Sequence, residues 1–244
     1  QRLRIIRAKK RRGFAFAVKH LLLHTAADVV VVLNDDIIIK NDNFLDQLTE
    51  PFRRQKGVGL VGGRVEPLPS RSFWQEIARL NFAAVRRSFA SGKNPQHPLT
   101  CNGKVMALSR KFINSLKFPR DLSMMGNVDN YLYFSCLESR FTYVSNQDAV
   151  VYFKFADTPH EFTNWTLRNV STMDLLAKSF GKKVYTAFQL PKRYFFCFTG
   201  RELLTHIPHV LVLFVFHFYV QWKKRSITTD FNPTWDVIKS TKNI

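Results

Sequence analysis

At 244 residues the chain can bury one good core, with room for a catalytic domain and an appendage but not for two equal domains. Its formal charge of +19, from 37 Lys and Arg against 18 Asp and Glu, predicts attraction to an anion: nucleic acid, an anionic membrane or a phosphorylated substrate. The 23 Phe and a long uncharged stretch near the C-terminus lean toward a membrane surface over a nucleic-acid groove, and three scattered cysteines (Cys101, Cys136, Cys197) indicate neither a disulfide framework nor a zinc site and fit a reducing compartment.

No signal peptide opens the sequence, and Leu3-Arg4-Ile5-Ile6 reads as a strand inside a fold, so a fragment lacking an upstream strand and its loop is expected. A basic run, Lys9 to Arg12, precedes Gly13, and helical spacing follows through Phe14, Val18, Leu21 and Leu22. Val29-Val30-Val31-Val32-Leu33 then forms a continuous apolar run, the pattern of a central parallel strand covered on both faces, and it ends on Asn34-Asp35-Asp36. In open α/β sheets ligands bind beyond the carboxyl ends of strands, and hard oxygens there suit Mg²⁺ or Mn²⁺ bridging to a diphosphate. A surface loop with two solvated acids is the plainer alternative.

Further along, the pattern predicts a helix over 44–52 capped by Asp42 or Asn43, a short strand with glycines over 57–63, and a long amphipathic helix over 73–90. Strands are predicted over 105–108, 141–144 and 150–153, with helices over 110–116 and 130–138. Strands alternating with helices imply an α/β fold with a mostly parallel sheet. A helix over 162–180 and a basic-aromatic stretch over 182–198 have the composition of amphipathic, interface-lying segments. Leu203 to Trp222 carry no formal charge and are long enough to span a bilayer as a helix. Pro208 and the histidines 206, 209 and 217 leave a re-entrant or buried hydrophobic helix as the other reading.

Five segments, in order, resemble family 2 glycosyltransferases of the GT-A fold. Arg12-Gly13-Phe14-Ala15-Phe16-Ala17 resembles the basic-Gly-x-Ala segment that opens the helix after the second strand, and Val32-Leu33-Asn34-Asp35-Asp36 a variant of the metal-binding DxD segment. Val61-Gly62-Gly63-Arg64-Val65 is similar to the glycine-rich strand after it, and Cys101 to Leu108 to the acceptor-side segment. Asn127-Val128-Asp129 falls where the family has a Glu-Asp pair, followed by Asp148-Ala149-Val150-Val151-Tyr152. The resemblance covers roughly residues 2 to 170.

It implies a Rossmann-like GT-A domain over residues 1–160, to which composition adds amphipathic interface helices over 161–200 and a hydrophobic helix, transmembrane in one of its two readings, with a basic tail over 201–244. The resemblance further implies inverting transfer from a nucleotide diphosphate sugar to a hydroxyl acceptor, and the membrane-seeking segments add the expectation of a lipid-linked or surface glycan acceptor and of a membrane-associated enzyme whose catalytic domain faces the cytoplasm. Asp129 is then the general base, Asp36 and Asp35 hold Mg²⁺ or Mn²⁺, Asn34, Gly13, Arg12 and Arg168 contact the donor, and Asn102, Gly103 and Trp165 line the acceptor side. An N-terminal helix position and basic neighbours are expected to favour the ionised form of Asp129.

The sequence departs from the family at three points. Asn34 replaces the first acid, Val128 replaces the Glu of the Glu-Asp pair, and Trp165-Thr166-Leu167-Arg168-Asn169 retains only the Arg of the Gln-x-x-Arg-Trp segment of processive synthases. Addition of one or a few sugars is therefore expected. Each assignment has a structural rival: Asp129 as a helix cap, Arg168 on a solvated face or paired with Glu161, Trp165 in the core, and Gly62 and Gly63 in a tight turn. The competing classes are a non-catalytic basic α/β protein that binds nucleic acid or anionic lipid, and a degenerate transferase.

Overall fold

The computed structural model describes residues 10, 12–90, 96–125, 127–189, 198, 200–226 and 241; the expected opening strand at 3–6 lies outside them, as does nearly all of the tail after residue 226. Helical spacing after Gly13 gives α1 (Phe14–Leu23), which turns Val18 and Leu22 inward. β1 (Val29–Leu33), β2 (Ile38–Ile39) and α2 (Phe44–Arg54) follow, then β3 (Val58–Pro67), α3 (Phe73–Ala90) and β4 (Val105–Ser109). α4 (Arg110–Ser115), α5 (Val128–Glu138), β5 (Thr142–Phe153), α6 (Pro159–Phe180), α7 (Lys183–Phe188), α8 (Gly200–Thr205) and α9 (Ile207–Ser226) complete the order. At the start of α2, Asn43 stands at the cap position without a side-chain bond, and Asn41 instead accepts from the Asn43 amide at 2.9 Å.

The strands form one sheet in the order β1-β4-β3-β5-β2. The expectation of a mostly parallel sheet is corrected here. Among the described residues only β3 and β5 run parallel, while β1–β4, β3–β4 and β2–β5 are antiparallel. A β-branched run specifies extended, buried backbone but carries no information on strand direction, which the path of the returning chain decides. The Val29 strand is also not central: β1 borders the described sheet, and of its residues only Val32 is buried. The antiparallel register has one large consequence. Leu33 lies opposite Val105, so the residues that leave β1 run beside the residues that enter β4.

Alternate side chains of the strands supply two cores, one on each face. Val105 and Ala107 join Val61, Val151 and Phe153 beneath α2, α3, α6 and α9. Met106 and Leu108 join Val32, Leu60 and Tyr143 beneath α1, α4 and α5. The two strands expected at 141–144 and 150–153 are one, with a register break where Gly63 pairs with Asn146 and Arg64 with Val150. Gly62 and Gly63 make no turn. A Cβ on Gly62 would collide with the Tyr143 hydroxyl, and one on Gly63 would lie 2.8 Å from the Ala149 carbonyl, so these glycines serve close packing inside a strand.

The uncharged stretch 203–222 is not one helix. It breaks at His206 between α8 and α9, with Pro208 in the first turn of α9, where its missing N–H costs nothing. Val210, Leu213, Phe216 and Val220 form an inner stripe packed on α3 and α6. Leu211, Val215, Phe218 and Trp222 form an outer stripe that is 60–76% exposed. The Arg87–Glu202 ion pair at 2.7 Å fastens this region to α3, and the His206 ring lies 3.6 Å from the Glu76 carboxylate. No described helix is long and apolar enough to cross a membrane.

Candidate active site

The β1–β4 register sets Asn34-Asp35-Asp36 against Asn102-Gly103-Lys104. The Asn34 amide donates to the Lys104 carbonyl at 3.2 Å, extending the ladder one step past β1. Asp35 is exposed and Asp36 buried. The Lys104 ammonium donates to Asp36 Oδ2 at 2.9 Å and sits 4.9 Å from the centre of the Phe153 ring. Asp36 Oδ1 is buried and has no hydrogen-bond partner. A buried carboxylate oxygen without a donor is costly, and that orphaned oxygen is where a divalent cation would fit. Among the described residues no three His, Cys, Asp or Glu side chains gather as a metal cluster.

The same loop reaches Asp129. The Gly103 amide donates to Asp129 Oδ2 at 2.9 Å, and the Asn130 amide donates to Oδ1 at 2.9 Å. Asp129 is therefore not the helix cap: Asn127 stands at that position of α5, and Asp129 is the second helical residue, bonded across the site to a loop far away in sequence. Burial pushes its carboxyl above the ordinary aspartate range, against the pull of the Gly103 and Asn130 amides and of the Arg168 charge. The expectation that its surroundings favour the ionised form is thus corrected, because desolvation outweighs the hydrogen bonds and the helix terminus.

Arg168, half-buried on α6, brings the two halves together. Burial lowers its pKa, while Asp129 and Asp36 both raise it, so one guanidinium lies within electrostatic reach of both carboxylates. It remains charged. Asn127 Nδ2 donates to Asn169 Oδ1 at 3.2 Å, which ties the start of α5 to the residue after Arg168. Asn102 shapes the loop, its Oδ1 accepting from the Lys104 amide at 3.0 Å.

Three expected residues stand elsewhere. Trp165 stacks on Phe162 at 6.1 Å and meets Phe155 edge-on at 6.2 Å, partly buried against the core, where a large ring finds aromatic neighbours. Arg12 is exposed, with its guanidinium 4.7 Å above Phe16, and Gly13 begins α1 at φ 87° and ψ 167°, a region open essentially to glycine alone. Sequence reasoning gave no role to Lys104. Its only signal is its place one residue before β4, which acquires meaning once the register with β1 is known.

The family described as "Glycosyltransferase like family 2" matches residues 1–172. No curated protein matches the chain. Among solved structures, glucosyl-3-phosphoglycerate synthase from Mycobacterium tuberculosis, in complex with Mn²⁺, UDP and glucosyl-3-phosphoglycerate, is 21% identical with a TM-score of 0.43, over 70% of this chain and 56% of its own. The same enzyme with Mg²⁺ and UDP matches at 19% identity and a TM-score of 0.44, over 71% of this chain and 57% of its own. A mycobacterial protein matches at 19% and 0.43, over 71% and 54%. The chain thus spans little more than half the length of these structures.

Proposed function

Because the chain belongs to the glycosyltransferase-like family 2, we propose that it transfers a hexose, with inversion, from a nucleotide diphosphate sugar to a hydroxyl acceptor. The observation that carries this reading is the convergence of Asp36 and Asp129 on consecutive residues of one loop, Lys104 and Gly103, with the Arg168 charge within electrostatic reach of both carboxylates.

Asp129 takes the proton of the acceptor hydroxyl. A carboxylate whose pKa is raised by burial is a stronger base than one in water, and the Gly103 and Asn130 amides hold both of its oxygens in place. Arg168 offsets the negative charge that gathers on the diphosphate as the sugar leaves. Asp36, through Oδ1, would hold Mg²⁺ or Mn²⁺, which when bound acts as a Lewis acid on the leaving diphosphate. One protein carboxylate is enough for such an ion when phosphate oxygens and water complete its shell, which agrees with the lack of a three-residue cluster among the described residues.

The outer stripe of α9, followed in the sequence by Lys223-Lys224-Arg225, supports a membrane-associated enzyme that lies on an anionic surface and glycosylates a lipid-linked or surface glycan. The catalytic domain would face the cytoplasm, where nucleotide sugars are supplied. Hydrolysis of a panel of nucleotide sugars by the full chain, with Mn²⁺ or Mg²⁺, tests the reaction. Turnover of at least one donor is expected, lost in Asp36→Ala and Asp129→Asn; full activity in either variant would overturn the assignment of that residue.

A further inference from the structure

Lys104 is pinned at both ends. Its amide donates to Asn102 Oδ1 at 3.0 Å, its carbonyl accepts from Asn34 at 3.2 Å, and its ammonium reaches Asp36 Oδ2 at 2.9 Å over the Phe153 ring. The pair is shielded from water, with 18% of the Lys104 side chain and 10% of the Asp36 side chain exposed. Half of the carboxylate is therefore already neutralised by a cation of the protein's own, while its other oxygen is left without a donor. Neutralising a ligand weakens its attraction for a second cation, most strongly where little water screens the two. A diphosphate would offset that repulsion by bringing negative charge to both cations.

Resting on the transferase reading, we propose that Lys104 is a positioning residue that makes metal binding conditional on the donor. It holds Asp36 by Oδ2, leaves Oδ1 without a donor and suppresses uptake of a free divalent ion, so that the ion binds together with the diphosphate. Linkage makes the effect reciprocal: diphosphate raises metal affinity by the same factor as metal raises diphosphate affinity.

Mn²⁺ binding to the full chain, followed by electron paramagnetic resonance with and without inorganic pyrophosphate, tests this without turnover. Wild type should bind Mn²⁺ more tightly with pyrophosphate than alone. Lys104→Met should bind Mn²⁺ alone more tightly than wild type, on the order of tenfold, a usual size for coupling between two bound groups, with a smaller gain from pyrophosphate. Lys104→Arg, which keeps the charge, should retain the wild-type pattern. A purely structural role for Lys104 predicts weaker or unchanged binding in the Met variant, and that result would overturn the proposal. Wild type that binds Mn²⁺ equally well with and without pyrophosphate overturns it with no variant needed. Undiminished binding in Asp36→Ala is a separate failure, since it sinks the metal assignment on which the proposal rests.

Discussion

Asp129 shows how the balance of opposing effects decides a side chain's chemistry. Backbone donors and a guanidinium favour its charged form, yet burial prevails and the pKa rises. A carboxyl raised above its unfolded value of about 3.9 stabilises the fold fully below that pH and loses this contribution as pH climbs through the raised folded value. The stability of wild type relative to Asp129→Asn should therefore fall as pH rises from about 4 toward neutrality, measured by urea unfolding across that range. Sugar transfer by the same variant should drop about 10²–10⁴-fold, the usual contribution of a positioned base. Gly62→Ala carries a different expectation. The added methyl meets the fully buried Tyr143, so urea unfolding should record a loss of about 1–3 kcal/mol. The glycine pair was visible in the sequence as a motif; its reason was not, because the neighbours that crowd it come from β5, β4 and the loop at Thr100.

Among the elements, α9 has two apolar faces with separate expected effects. Phe216→Ala removes a ring from the inner stripe, where it stacks on Phe162 at 4.7 Å, and should cost about 3–5 kcal/mol of stability. Phe218→Glu alters the outer stripe, 76% exposed, and should leave the melting temperature nearly unchanged while weakening sedimentation with anionic vesicles. Vesicle binding that survives Phe218→Glu combined with Leu211→Glu would remove α9 from the membrane reading. The sequence announced an apolar helix here and erred on its extent, since Pro208 starts a new helix instead of interrupting one. It also could not say which of its faces meets the protein. Helical periodicity identifies an apolar stripe, and a helix apolar on most sides offers no such contrast.

For the whole molecule, the sheet order places the β1 end, the entry to β4 and the start of α5 side by side, and α6 closes the group with Arg168. Local pattern located the strand that ends on Asn34, the glycine-rich strand, the helix that follows Asp129 and the acids after β1, while Asp129 was singled out by the family resemblance. Apolar periodicity and a helix start are properties of a few neighbouring residues, and a sequence displays them directly. Strand direction, the Lys104–Asp36 pair, the upward pKa of Asp129 and the aromatic packing of Trp165 were decided only in three dimensions. Each depends on which residues distant along the chain become neighbours. Register and burial determine that, and both emerge from the packing of the whole chain.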